Sequence, residues 1–260
     1  MQVGFNLFSL LILLLKCVFF AKLKLGENMK VFAISDFHLS INNPKPMDIF
    51  GPTWEEYLDK IEKDWSEKVS ADDLVLIPGD LSWAMKFEEA KPDLDYICSF
   101  AGTKIILKGN HDYWWNSISE LKSYLHNSTF AIQNDAYKFG KFVICGSRGW
   151  TPSDMGFKSE SDEKIYRREL IRMELSLKTA ENLREEGDML IVMTHFPPLN
   201  CRMEDNEMTE LFKKYNVDKV VYGHLHNEDK KQKMHFVKDG IEYFLTSCDL
   251  RGNKLTLIAE

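Results

Sequence analysis

The sequence predicts an α/β or layered sandwich fold, and three observations predict it. Short β-rich runs alternate with helical patterns along the chain. Several runs are continuously apolar, as strands become when both faces of a sheet are covered. Polar blocks rich in His, Asp and Asn sit where those strands run out. At 260 residues and 44% apolar content the chain can build a sizeable core, and nothing in its composition suggests disorder or a fibre. Residues 29–260 read as one domain, preceded by an apolar leader over 1–28.

The strands are expected at Lys30–Ser35, Leu74–Pro78, Lys104–Lys108, Phe142–Gly146, Met189–Thr194, Lys219–Tyr222 and Tyr243–Ser247. Helices fall between them. Thr53-Trp54-Glu55-Glu56 fits a capping box, and Trp54, Leu58, Ile61, Trp65 and Val69 then repeat at helical spacing as core positions. The longest helix spans Asp162–Glu186, striped by Tyr166, Leu170, Met173, Leu177, Ala180 and Leu183 and stopped by Gly187. Its Arg167 and Arg168 read as solvated charges. Shorter helices are expected around Asp93–Phe100, Ser117–Leu125 and Glu207–Tyr215. Two loops, Ile41–Pro52 and Arg148–Ser161, are rich in Gly and Pro and leave the sheet on the edge of the polar blocks.

Residues 3–21 are almost wholly apolar, broken only by Lys16, and about 17–25 such residues can cross a bilayer. The leader is therefore either a membrane anchor, with Lys22 and Lys24 holding the following domain in the cytoplasm, or upstream of a true start at Met29. The formal charge is -7, and the body is more acidic still because Lys16, Lys22 and Lys24 outweigh Glu27 in the leader. Such a body does not recruit nucleic acid through bulk electrostatics. Five widely spaced cysteines with no C-x-x-C pair indicate a reducing compartment rather than a disulfide framework.

The polar blocks carry the chemistry. They are Asp36-Phe37-His38, Gly79-Asp80, Gly109-Asn110-His111-Asp112, Thr194-His195 and Gly223-His224-Leu225-His226, and they take in five of the seven histidines. Asp36 and His38 are one residue apart, so on an extended strand end their side chains point the same way. Gly79 lets the backbone turn so that Asp80 projects into a cleft. Asp36, His38, Asp80, Asn110, His195, His224 and His226 exceed the three or four protein ligands of one zinc-like ion, so two ions fit better, with one carboxylate shared. Imidazole, carboxylate and amide donors without thiolate suit Mn, Fe, Zn or Co. His126 and His235 lie outside these blocks and read as structural.

The ordered pattern D-x-H, G-D, G-N-H-D, H, G-H-x-H resembles the calcineurin-like metallophosphoesterase superfamily, and more narrowly its bacterial predicted phosphohydrolases, from Met29 to the G-H-L-H block and on to Tyr243–Ser247. The resemblance implies a four-layered α/β/β/α sandwich with a dinuclear site at the strand ends. It implies that Asp36, His38 and His226 hold one divalent ion, that Asn110, His195 and His224 hold the other, and that Asp80 bridges them. Two ions roughly 3.5–4 Å apart can turn a bridging water into hydroxide near neutral pH and clamp a phosphate for in-line attack. His111 would protonate the leaving oxygen or stabilise charge on the phosphoryl group, with Asp112 orienting its ring or keeping it cationic. Arg148 is a candidate for binding a substrate phosphate. The expected partner is a small phosphate ester, monoester or diester. The alternative is a non-catalytic scaffold of the same fold, although such relatives lose ligands that are all present here. Oligomeric state is not legible.

Overall fold

The computed structural model describes residues 29–151, 157, 159–226 and 233–260, so the leader and its anchor reading lie outside the described residues, as does part of the Arg148–Ser161 loop. Two sheets build the fold. The first has the order β11-β1-β2-β3-β4, from β1 (Val31–Ala33), β2 (Leu74–Ile77), β3 (Thr103–Leu107), β4 (Thr129–Ile132) and β11 (Thr256–Ala259). Its pairs are parallel except β1 with β11. The second has the order β5-β6-β7-β8-β10-β9, from β5 (Ala136–Phe139), β6 (Phe142–Gly146), β7 (Met189–Met193), β8 (Lys219–Tyr222), β9 (His235–Lys238) and β10 (Ile241–Leu245). Here only β5 and β9 run antiparallel to their neighbours.

Alternation along the apolar runs explains why they are unbroken. Val31, Ala33, Leu74 and Leu76 pack between the sheets against Ile144, Ile191, Met193 and Val221. Their sequence neighbours Phe32, Val75 and Ile77 face outward, onto Ile61 and Trp65 of α1 (Tyr57–Lys68), Leu94 and Ile97 of α2 (Phe87–Ser99) and Leu121 of α3 (Ile118–Tyr124). On the far side Val143, Cys145, Val192 and Val220 meet Met173, Leu177 and Ala180 of α4 (Glu160–Leu183) and Phe212 of α5 (Glu207–Lys214). Both faces of each sheet are therefore covered, giving the α/β/β/α sandwich. Each such aliphatic side chain contributes about 1.5–3 kcal/mol by leaving water.

Local expectations fail in instructive places. Thr53 does not cap α1: Pro52–Trp54 is a 3-10 turn, and Glu56 precedes the helix with φ 48°, its side chain making no cap bond. Pro52 fixes the turn one residue ahead of Thr53, which commits the chain before a capping box can form. Helix α4 is capped by Ser159, whose hydroxyl accepts from Asp162 N–H at 3.2 Å, and it ends at Leu183 rather than at Gly187. Helix α2 starts at Phe87, ahead of Pro92, which it carries inside.

Candidate metal centre

The ligand blocks meet at one rim, because parallel strands bring their C-terminal ends to the same side. Asp36 and His38 follow β1, Asp80 follows β2 and Asn110 follows β3 in one sheet, while His195 follows β7 and His224 and His226 follow β8 in the other. The sheets are tied there by a parallel bridge between Ser35 and Ser247. Two groups of potential ligands result, Asp36 with His38 and His226, and Asp80 with His195 and His224, the donor atoms of each lying within 4.8 Å of one another. Asp80 Oδ2 is 3.4 Å from His195 Nε2 and 3.9 Å from His38 Nε2, one nitrogen from each group. Asn110 Oδ1 is 2.7 Å from His195 Nε2 and 2.8 Å from His224 Nδ1.

The side chains converge by a different local geometry from the extended one expected. Asp36 (φ 61°), His38 (φ 48°), Asp80 (φ 53°) and His224 (φ 73°) are all left-handed. That conformation costs a non-glycine residue about 1–3 kcal/mol and persists at functional sites where the surroundings over-determine it. Here the surroundings are backbone bonds: Asp36 N–H donates to Gly79 O at 3.1 Å, His38 N–H to Asp80 O at 3.0 Å, and His224 N–H to the Asp36 carboxylate at 3.1 Å. The glycines leave room for this crowding. A Cβ at Gly109 would stand 2.1 Å from Asp80 Oδ1, and one at Gly223 would stand 2.3 Å from Asp36 Oδ2.

The donor set fits divalent cations. His195 Nδ1 points at Pro78 O, 3.0 Å away, and that carbonyl can only accept; the ring's proton therefore sits there, leaving Nε2 as a lone pair facing Asp80 Oδ2 and Asn110 Oδ1, which are acceptors too. In the same way His226 Nδ1 is 3.0 Å from Asp249 Oδ1, while its Nε2 faces His38 Nε2 at 3.2 Å and Asp36 Oδ1 at 3.5 Å. Nitrogens and carboxylate oxygens this close call for positive charge between them, which ring protons supply without metal and which divalent cations could supply in their place. A partner on the far nitrogen also sets which nitrogen is left to bind metal.

Electrostatics divide the four histidines, for against burial the charges of Asp80 and Asp36 raise His195 as well as His226. Burial lowers His38 to about 4, against the pull of Asp80 and Asp36, and lowers His224 to about 4 with help from His195, so both present neutral imidazoles. Burial opposes charge on Asp36, yet the hydrogen bond and charge of His226, with His195 and His38, hold its carboxyl well below the usual range. His226 moves the other way: Asp249 and Asp36 overcome burial and raise it to about 10.

His111 lies beside the two groups rather than within them. Its backbone N–H donates to Asp80 Oδ1 at 2.8 Å, and its half-buried ring is 5.4 Å from the His38 ring. Burial lowers its pKa, so the resting ring is neutral. Asp112 does not orient that ring, contrary to the sequence expectation. Its buried carboxylate accepts from the N–H groups of Asp80 (2.9 Å), Leu81 (2.9 Å), Ser82 (3.1 Å) and Gly109 (2.7 Å) and from Trp114 Nε1 (3.0 Å). Burial and the Asp80 charge raise it to about 6 against those bonds. Asp112 thus ties the Asp80 loop to the Asn110 loop, and its donors at Asp80, Leu81 and Ser82 lie too far away in sequence to be read from its motif.

The remaining candidates sort by distance. Arg148 packs its guanidinium over Trp150 and Phe196, 3.9 Å from the buried Glu169, and feels the Asp80 charge. Trp114 and Trp115 are core residues. His126 and His235 stay outside the site, 3.3 Å from Asp95 and 3.0 Å from Glu242 respectively. Sequence reasoning missed three neighbours. Trp83 stacks on His38 (centroids 4.6 Å) and meets His111 edge-on (4.6 Å), Phe196 lies 4.2 Å from the His224 ring, and Asp249 holds His226. Trp83 and Phe196 each stand within three residues of a ligand, an available signal; Asp249 gave none.

The chain belongs to the calcineurin-like phosphoesterase family, whose model matches residues 29–228. Among solved structures it is similar to the phosphopantetheinyl hydrolase PptH from Mycobacterium tuberculosis, with 15% identity, TM-score 0.53 and coverage of 90% of this chain and 96% of that one. It is also similar to AQ665, a protein of unknown function from Aquifex aeolicus, with 14% identity, TM-score 0.46 and coverage of 88% and 96%. At 15% identity the likeness to the hydrolase speaks to the fold alone. No curated protein matches the chain.

Proposed function

We propose that the protein hydrolyses small phosphoric esters with two divalent ions, Mn, Fe or Zn, one held by Asp36, His38 and His226 and the other by Asn110, His195 and His224, with Asp80 shared. The observation that carries this reading is Asp80 Oδ2, within 4 Å of a histidine nitrogen from each group. Divalent ions there would supply acidity to a water and neutralise phosphoryl oxygens. No side chain of this chain need act as nucleophile. The neutral His111 ring donates an N–H to the leaving oxygen or to a phosphoryl oxygen, where charge grows during P–O cleavage. Its backbone bond to Asp80 fixes its position relative to the ligands, and Trp83, against both His38 and His111, shields the pair from water. The complete ligand set counts against a purely scaffolding role.

Residues 29–260 act as one catalytic unit in this reading, whether the ester is a mono- or a diester. A reducing cytoplasmic setting belongs to the same reading. His111→Ala is the test: bound metal should be unchanged and hydrolysis of an aryl phosphate should fall about 10²–10⁴-fold. Unchanged turnover would remove His111 from the mechanism, and no hydrolysis of aryl mono- or diesters by the metal-loaded wild type would remove the hydrolase reading itself.

A further inference from the structure

A cavity of about 230 Å³ opens beside the metal centre, lined by Lys108, Arg148, Arg168 and Arg172 with Glu169 and Asn134 among its other walls. It is built at the same strand ends as the ligands. Lys108 follows β3, Asn134 follows β4 and Arg148 follows β6. Water occupies ~30 Å³ per molecule in the liquid, so the space takes a phosphoryl group with its oxygens.

The charges do not balance. Glu169 is fully buried and is the shared carboxylate: Arg172 Nη1 is 2.8 Å from its Oε1, Arg168 Nε 3.7 Å and Arg148 Nη2 3.9 Å. Lys108 spends one donor on Trp115 O at 2.6 Å, and among the described residues no carboxylate forms an ion pair with it. Among the described residues, then, four cations line a cavity with one carboxylate in its wall, and Asp112 adds a second negative charge near Lys108. Among the described residues Arg148 Nε is a buried donor with no acceptor and Glu169 Oε2 a buried acceptor with no donor, although an unpaired buried polar group normally costs about 1–3 kcal/mol. Helix α4 places Arg168 and Arg172 one turn apart on this face, so Arg168 is a wall of the cavity and not merely the solvated charge its sequence suggested. Guanidinium groups held around one point suit a tetrahedral oxyanion.

We propose that this cavity binds a second phosphoryl group of the substrate, so that the ester cleaved at the metal centre carries a further phosphate on another arm. The inference rests on the phosphoesterase reading. Phe196 separates the two sites, its ring 4.2 Å from His224 on one side and 5.8 Å from the Arg148 guanidinium on the other. In this proposal one phosphate lies on each side of that ring, on separate carbons of the substrate.

The probe is inorganic sulfate, a tetrahedral dianion that the enzyme neither cleaves nor makes. It is titrated at constant ionic strength into the full-length, metal-loaded protein and read by tryptophan fluorescence, since Trp115 lines the cavity and Trp150 stacks on Arg148. Saturable binding is expected to weaken about tenfold in Arg168→Gln, as for loss of one charge-assisted contact, and further in Arg168→Glu. Lys178→Gln, an exposed change on the same helix outside the cavity, should shift it less than about twofold. Equal sulfate affinity in wild type and both Arg168 variants overturns the proposal. The parent reading fails separately: a protein that cleaves no ester but loses sulfate on Arg168→Gln keeps its anion site, whereas one that cleaves esters with sulfate binding indifferent to Arg168 keeps the hydrolase and loses the site.

Discussion

Gly109→Ala is the smallest change that should dismantle the metal centre. Gly109 does not have a positive φ, so alanine suits the backbone conformation, and stiffening the unfolded chain would favour folding by about 0.4–1 kcal/mol. The obstacle is space. The new Cβ falls 2.1 Å from Asp80 Oδ1 and 2.3 Å from Asp80 N, where real Cβ contacts essentially never come below 3.0 Å. A rotamer change could move the carboxylate, but only a backbone shift moves the amide. Asp80 must therefore retreat by about 1 Å, taking Oδ2 from between the two ligand groups and straining the His111 N–H bond to Oδ1. Overpacking of this kind costs about 1–3 kcal/mol, or roughly 2–12 °C in melting temperature for a chain of this size. Displacing a positioning group by ~1 Å can cost about 10²-fold in rate. Thermal melting, bound metal by mass spectrometry and aryl phosphate hydrolysis, measured on one preparation, read all three effects. Gly240→Ala is the control: φ is 80° and no atom lies within 4 Å of the added Cβ, so it should lose about 1–2 kcal/mol and keep its metals. A Gly109→Ala protein with wild-type metal content and turnover within twofold of wild type would refute this placement of Asp80.

Further outcomes follow from the same geometry. Asp112→Asn replaces one acceptor oxygen by an amide N–H₂ that faces at least two N–H donors, so it should cost about 2–5 kcal/mol and lower metal occupancy, checked by denaturant melts and metal analysis. Lys104→Met should cost a similar ~2–4 kcal/mol with metal content unchanged, because Nζ serves the carbonyls of Cys98, Phe100, Gly102 and Asn127 at the opposite end of β3 from Asn110. Stripping metal with EDTA should lower the melting temperature by about 8–16 °C, the equivalent of ~4 kcal/mol for ions at a thousand times their dissociation constant. In the stripped protein the folded-state pKa of His226, about 10, stands above its unfolded value, so its stabilisation is complete below pH ~6.5 and drains away as pH rises towards 10. Melting temperatures that rise over that interval would contradict the assignment.

What the sequence reveals here depends on whether the cause is local. Strands β6 and β8 are read to the residue, because central parallel strands are apolar on both faces. Strands β4, β5, β9 and β11 escape notice, being antiparallel additions or sheet edges; β9 alternates between exposed and half-buried positions and carries no apolar run. The candidate ligands are legible as residue types in order, whereas the left-handed backbone of Asp36, His38, Asp80 and His224 is not, since neighbouring loops impose it. Asp112 looks like an accessory to His111 by adjacency, but its donors at Asp80, Leu81 and Ser82 come from another loop. Arg168 looks solvated until the fold brings Lys108 and Arg148 to it.

Each ligand group draws on both sheets: His226 joins Asp36 and His38 across the bridge, and Asp80 crosses to His195 and His224. Neither half of the polypeptide owns a complete set. A fragment ending between β4 and β6 would fold no functional cage, and two complementary fragments would regain metal affinity only by docking face to face. Ions at that seam would act as rivets, coupling occupancy to the association of two half-molecules, so metal uptake would mark the last event of assembly and metal loss the first event of its undoing.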